Sequence, residues 1–96
     1  MQIGKDKVDN HRLLLLADPN SWWVHASAYS SARGFIKSER FPRKQIKQMC
    51  RIIKEKSSRL KTMQRVTFDV SKRKHLRVTD VEGEVEVKKI LRILYI

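Results

Sequence analysis

A chain of 96 residues, 41% apolar and with only three glycines and two prolines, suits one small packed domain, residues 1–96, and excludes a disordered basic tail. Its 22 Lys and Arg outnumber ten acids, and the excess is segregated: residues 33–77 hold 16 of the cations against Glu39, Glu55 and Asp69. A field of one sign costs self-repulsion, so it points to a polyanionic partner, nucleic acid first and an acidic protein second.

A lone cysteine, Cys50, rules out an intrachain disulfide and fits a reducing compartment. The longest apolar run, Leu13 to Ala17, falls far short of the roughly 18 residues of a membrane span. The opening residues mix charges as no secretory leader does. The expected location is the cytoplasm, or the nucleus in a eukaryote, and no membrane partner is expected.

In chain order, residues 11–17 show no clear period and read equally as a buried strand or a short helix. Asp18-Pro19 is a stop and restart, with Asp18 placed to cap a helix and Pro19 suited to its first turn. Trp22, Ala26, Tyr29 and Ile36 then recur at helical spacing, which predicts a helix to about Lys37. From Pro42, the residues Ile46, Met49, Cys50, Ile53, Ser57 and Leu60 fall within an arc of about 100°, predicting an amphipathic helix to about Met63.

The period then changes to two. Val66, Phe68 and Val70 predict a strand, 71–74 a basic turn, and Leu76 and Val78 a second strand. Glu82-Gly83 is read as a two-residue hairpin turn that would set Val78 opposite Val87 and Thr79 opposite Glu86. Residues 87–96 suit either state, and their β-branched density favours a strand. The predicted class is α+β: two helices, or three if 11–17 is helical, followed by a three-stranded antiparallel meander in a winged-helix arrangement.

Two basic elements stand out. Lys44, Lys47, Arg51 and Lys54 lie within about 80° of one another on the long helix, flanked by Arg43 and Lys61, and span about 25 Å. A solvated face normally mixes signs, whereas here Glu55 is the one intrahelical acid, four residues from Arg51. Lys72, Arg73 and Lys74, with Arg77 beyond, are read as a hairpin tip touching the phosphate backbone beside that helix. Gln45 and Gln48 are the candidate base readers, and Trp23 a candidate stacking platform.

Catalytic chemistry is poorly represented. His11, His25 and His75 have no cysteine or carboxylate at metal-ligand spacing, no nucleophile motif surrounds Ser27 to Ser31, and no glycine loop cradles phosphate. No cofactor is expected. The leading reading is a non-catalytic nucleic-acid-binding protein, duplex DNA favoured over RNA, and the second is a basic adaptor for an acidic protein. If residues 11–17 form a strand, the order β-α-α-β-β-β resembles the small ribosome-dependent RNA-cleaving toxins of toxin–antitoxin pairs, in topology alone. That resemblance implies roles for basic and tyrosine residues near the last strand, here Arg92 and Tyr95.

Overall fold

A computed structural model describes every residue except Ala28 and Gly83. In chain order the elements are β1 (Gln2–Ile3), α1 (Lys7–Leu16), β2 (Trp22–Ala26), β3 (Gly34–Ile36), α2 (Arg43–Lys56), β4 (Thr67–Lys72), β5 (Leu76–Val78), β6 (Val85–Val87) and β7 (Arg92–Tyr95), with 3₁₀ turns at Leu60–Thr62 and Arg73–His75. Five strands form one antiparallel sheet in the order β1-β3-β2-β4-β7, and β5-β6 is a separate ribbon. The class is α+β with two helices and antiparallel sheets.

Side-chain alternation on the central strands sorts the core into two layers. Trp22, Val24 and Ala26 of β2, Phe68 and Val70 of β4, and Leu94 of β7 pack with Ile46, Met49, Cys50 and Ile53 of α2. Trp23 of β2 and Phe35 of β3 point the other way, onto Leu13 and Leu14 of α1 and Leu76 of β5. The two helices therefore lie on opposite faces of the sheet. They do not form the adjacent helix pair that a winged helix requires.

Several expectations are corrected by this arrangement. The helix expected from Asp18 to Lys37 is a pair of strands, β2 and β3, in register Trp22↔Ile36, Trp23↔Phe35 and Val24↔Gly34. Both faces of β2 are covered, so its sequence lacks the alternation of a half-exposed strand. The ambiguous residues 11–17 belong to a helix: Asp6 caps α1 by accepting the Asp9 N–H at 2.8 Å, and Ala17 ends it. The topology behind the toxin resemblance is therefore absent. The meander is also replaced, because β4 sits inside the large sheet while β5 and β6 pair only with each other.

The long helix begins where expected, with Ile46 N–H donating to the Pro42 carbonyl at 2.8 Å, but it stops at Lys56. Ser57 adopts an extended conformation (φ −92°, ψ 118°), and its Oγ accepts the Leu60 N–H at 3.1 Å. The serine thus ends one helix and caps the next short turn. Leu60 is still fully buried beside Ile53, so the expected core residues hold although the helix is not continuous. The tail is a strand, as favoured, over Arg92–Tyr95. The β5-β6 register is Val78↔Val85 and Leu76↔Val87, two residues away from the expected one. The loop between them is thus longer than two residues, and the Gly83 of the expected turn lies outside the described residues. No helix among the described residues is long and apolar enough to cross a membrane.

Candidate nucleic-acid interface

Helix α2 buries Ile46, Met49, Cys50 and Ile53, which turns Arg43, Lys44 and Arg51 to solvent and leaves Lys47 and Lys54 half-buried along its flank. Two contacts fix how it lies. At its start, Phe41 meets the Arg92 guanidinium, 4.2 Å from the ring centre. Near its end, Lys54 Nζ donates to the Ile96 carbonyl at 3.1 Å. The helix therefore packs over β2 and β3 and runs in the same direction as β7, which it meets through these two long side chains.

Strand parity decides which of the other predicted cations join this surface. Lys72 pairs in register with Trp22 and faces α2, its ammonium 4.8 Å from the Trp22 ring centre. Trp22 meets Phe41 edge-on at 5.1 Å, and Phe41 carries Arg92. Cation, indole, phenyl and guanidinium thus form one continuous stack at the start of α2, each contact favoured by the ring quadrupole. In the sequence Arg92 stands out only through the toxin resemblance. Its place on this surface was missed, and the signal for it is the alternation with Leu94, which sets both on the α2 side.

Arg73 faces the opposite way. Its Nε donates to the Leu14 carbonyl at 2.7 Å and its Nη1 to the Leu76 carbonyl at 3.1 Å, so it binds α1 to β5. The backbone N–H groups of Arg73 and Lys74 donate to Ser21 and Pro19. Residues 72–74 are therefore tied down between the sheet and the ribbon and do not form a projecting tip. Lys74 is exposed beside them. Arg77 is paired across the ribbon with Glu86. Lys61 is exposed on the 3₁₀ turn after α2.

The remaining candidates divide. Gln45 and Gln48 are both exposed on α2, about 120° and about 60° round from Arg51. Trp23 is only 1% exposed, packed with Leu13, Leu14 and Phe35, and offers no surface for stacking. Among the described residues the ion pairs are Arg12–Asp9, Lys37–Asp18 and Arg77–Glu86, so no cation of α2 has a carboxylate partner, Arg51 with Glu55 included.

On the other side of the sheet, His25 adjoins Arg33. Burial pushes the His25 imidazole down to a pKa of about 4; the Arg33 charge acts the same way and a hydrogen bond to the Tyr29 backbone opposes both. The unfolded chain takes up this proton near pH 6.5 and the folded chain resists it until about pH 4. Stability from this group is thus complete above pH 6.5 and lost as pH falls through that window. Between pH 6.5 and about 4.5 the native protein should lose about 2 kcal/mol more than a His25→Gln variant. Urea melts of both proteins across that range check it; equal losses would show that the imidazole is not held neutral. Among the described residues no group of three or more His, Cys, Asp or Glu side chains is placed to hold a metal ion.

No family model and no curated protein sequence matches the chain. Among solved structures it is similar to the C-terminal part of the fibronectin/fibrinogen-binding protein from Streptococcus suis, with a TM-score of 0.83 and 19% identity. The match covers 98% of this chain and 39% of that one. At that identity the likeness establishes a shared fold and carries no ligand across.

Proposed function

We propose that this protein binds nucleic acid, duplex DNA in preference to RNA, by laying a phosphate backbone along the solvent face of α2. The observation that carries the reading is the run of cations on α2 without carboxylate partners among the described residues, continued at the start of the helix by Lys72 and Arg92. Guanidinium and ammonium groups aligned over several turns without carboxylate partners among the described residues suit the regular charge of a polymer backbone. The aromatic residues within the basic segment favour a duplex: Phe35 and Phe68 are buried and Phe41 is covered by Trp22 and Arg92, so none is a free stacking platform. Gln48, beside the stripe, is the better placed of the two glutamines for a base edge.

The double substitution Lys47→Glu/Arg51→Glu tests the surface. It should weaken duplex binding by about a hundredfold or more, since two attractive charges become repulsive. The melting temperature should stay within a degree or two, because no ion pair is broken. Fluorescence anisotropy with a labelled duplex, beside a thermal melt, reads both. Unchanged affinity in the double variant would remove α2 from the interface. A wild-type protein with no affinity for any nucleic acid would favour instead an acidic protein as the partner of this face.

A further inference from the structure

On the sheet face opposite α2, the start of α1, the loop before β3 and the ribbon loop enclose a cleft of about 580 Å³, within the range of small-molecule sites. Its inner wall is built around Arg33. The Arg33 carbonyl accepts the Gly4 N–H at 3.0 Å, and its own N–H donates to Oδ1 of the buried Asn10 at 3.2 Å. Gly4 has no room for a side chain there, since a Cβ would stand 1.8 Å from that oxygen. The backbone that carries the guanidinium is therefore clamped from both sides.

The groups it presents are not satisfied within the fold. Among the described residues, Arg33 Nε and His25 Nε2 are both buried without a hydrogen-bond partner, and no carboxylate lies within ion-pair distance of Arg33. Leaving a buried donor or charge unmet is costly, so Arg33 Nε–H calls for an acceptor atom; neutral His25 spends its one N–H on the Tyr29 backbone, so its Nε2 is an acceptor and calls for a donor. Lys5 and Lys7 add positive charge to the lining. Glu82 and Glu84 contribute carboxylates from the ribbon loop, and the Glu84 charge is felt at Arg33. Asp6 also lines the cleft, but its carboxylate is occupied by the Asp9 N–H, so the helix end is already capped. The cleft thus contains an unmet cationic group and free carboxylates. A simple anion would meet repulsion from the glutamates, and a simple cation would meet it from Arg33.

We propose that this cleft binds a small zwitterion of the α-amino-acid type, its carboxylate on the Arg33 guanidinium and its ammonium toward Glu82 and Glu84. The site lies on the face opposite α2 and is independent of nucleic-acid binding. The test is a titration of the ¹⁵N-labelled chain with each free amino acid, followed by the N-acetyl and the amide derivatives of the best one. At least one amino acid should saturably shift the Arg33 side-chain Nε–H and the Gly4 and Asn10 amides at millimolar concentration. Removing either ligand charge should weaken binding about tenfold or more, as losing one charge-assisted hydrogen bond does. Arg33→Gln and Glu84→Gln should weaken it similarly, whereas Lys47→Glu/Arg51→Glu should leave it intact. If no amino acid shifts these signals saturably at about 20 mM, where even a weak site would fill, the proposal fails. It fails equally if the N-acetyl derivative or inorganic phosphate binds as well as the free amino acid. The measurements on the native chain decide the matter even if an Arg33 variant does not fold.

Discussion

Phe68→Ala should be the most damaging single truncation in this molecule, costing about 3–5 kcal/mol. Phe68 is fully buried near the start of β4, in register with Ala26 on one side and Leu94 on the other, and it packs in the layer beneath α2. Neither neighbouring strand can move in to fill the space without breaking its hydrogen-bond ladder, so most of the cavity remains. Small domains hold only about 5–15 kcal/mol in total, and at this length each kcal/mol shifts the melting temperature by about 4–8 °C. The variant should therefore melt at least about 12 °C lower, if it folds at all. Phe41→Ala should cost less than half as much, because that ring is only partly buried. A thermal melt of both variants checks the ranking. Equal small losses would mean that the layer beneath α2 is not the main core.

The parts of the fold legible in the sequence were those with one buried face. Helix α2 announces itself because Ile46, Met49, Cys50 and Ile53 repeat against a charged remainder. β4 does so because Val66, Phe68 and Val70 alternate with polar residues. β2 is obscure in the sequence for a physical reason. It lies at the centre of a sheet covered on both sides, so Trp22, Trp23 and Val24 are all buried and the period of two vanishes. Trp22 and Ala26, four apart, share a face in a helix and in a strand alike; Val24, which faces α2 with them, is the residue that separates the two cases. α1 was obscure because its run of four leucines splits into Leu13 and Leu14, which are buried, and Leu15 and Leu16, which are exposed.

The candidate interface was legible to a similar degree. The stripe on α2 follows from helical geometry alone, so its members could be named in advance. Lys72 and Arg73 could not be told apart, since only the register of β4 decides that Lys72 faces α2 and Arg73 faces α1. Arg33 counted in the sequence only as one charge among many. Its environment arises from segments far apart in the chain, Gly4 and Asn10 on one side and Glu84 on another.

The reading of α2 as a phosphate track makes its strongest demand on salt dependence. Arg43, Lys44, Lys47, Arg51, Lys72 and Arg92 together would neutralise about six phosphates, releasing the counterions condensed on them. Log affinity for duplex DNA should then fall against log salt with a slope of about −5, and Lys47→Glu/Arg51→Glu should flatten it by about two units. The decisive measurement is the wild-type affinity for one duplex between about 50 mM and about 200 mM salt, where this slope predicts a loss of about three powers of ten. Affinity that barely changes across that range, or no affinity at its lower end, would contradict the account.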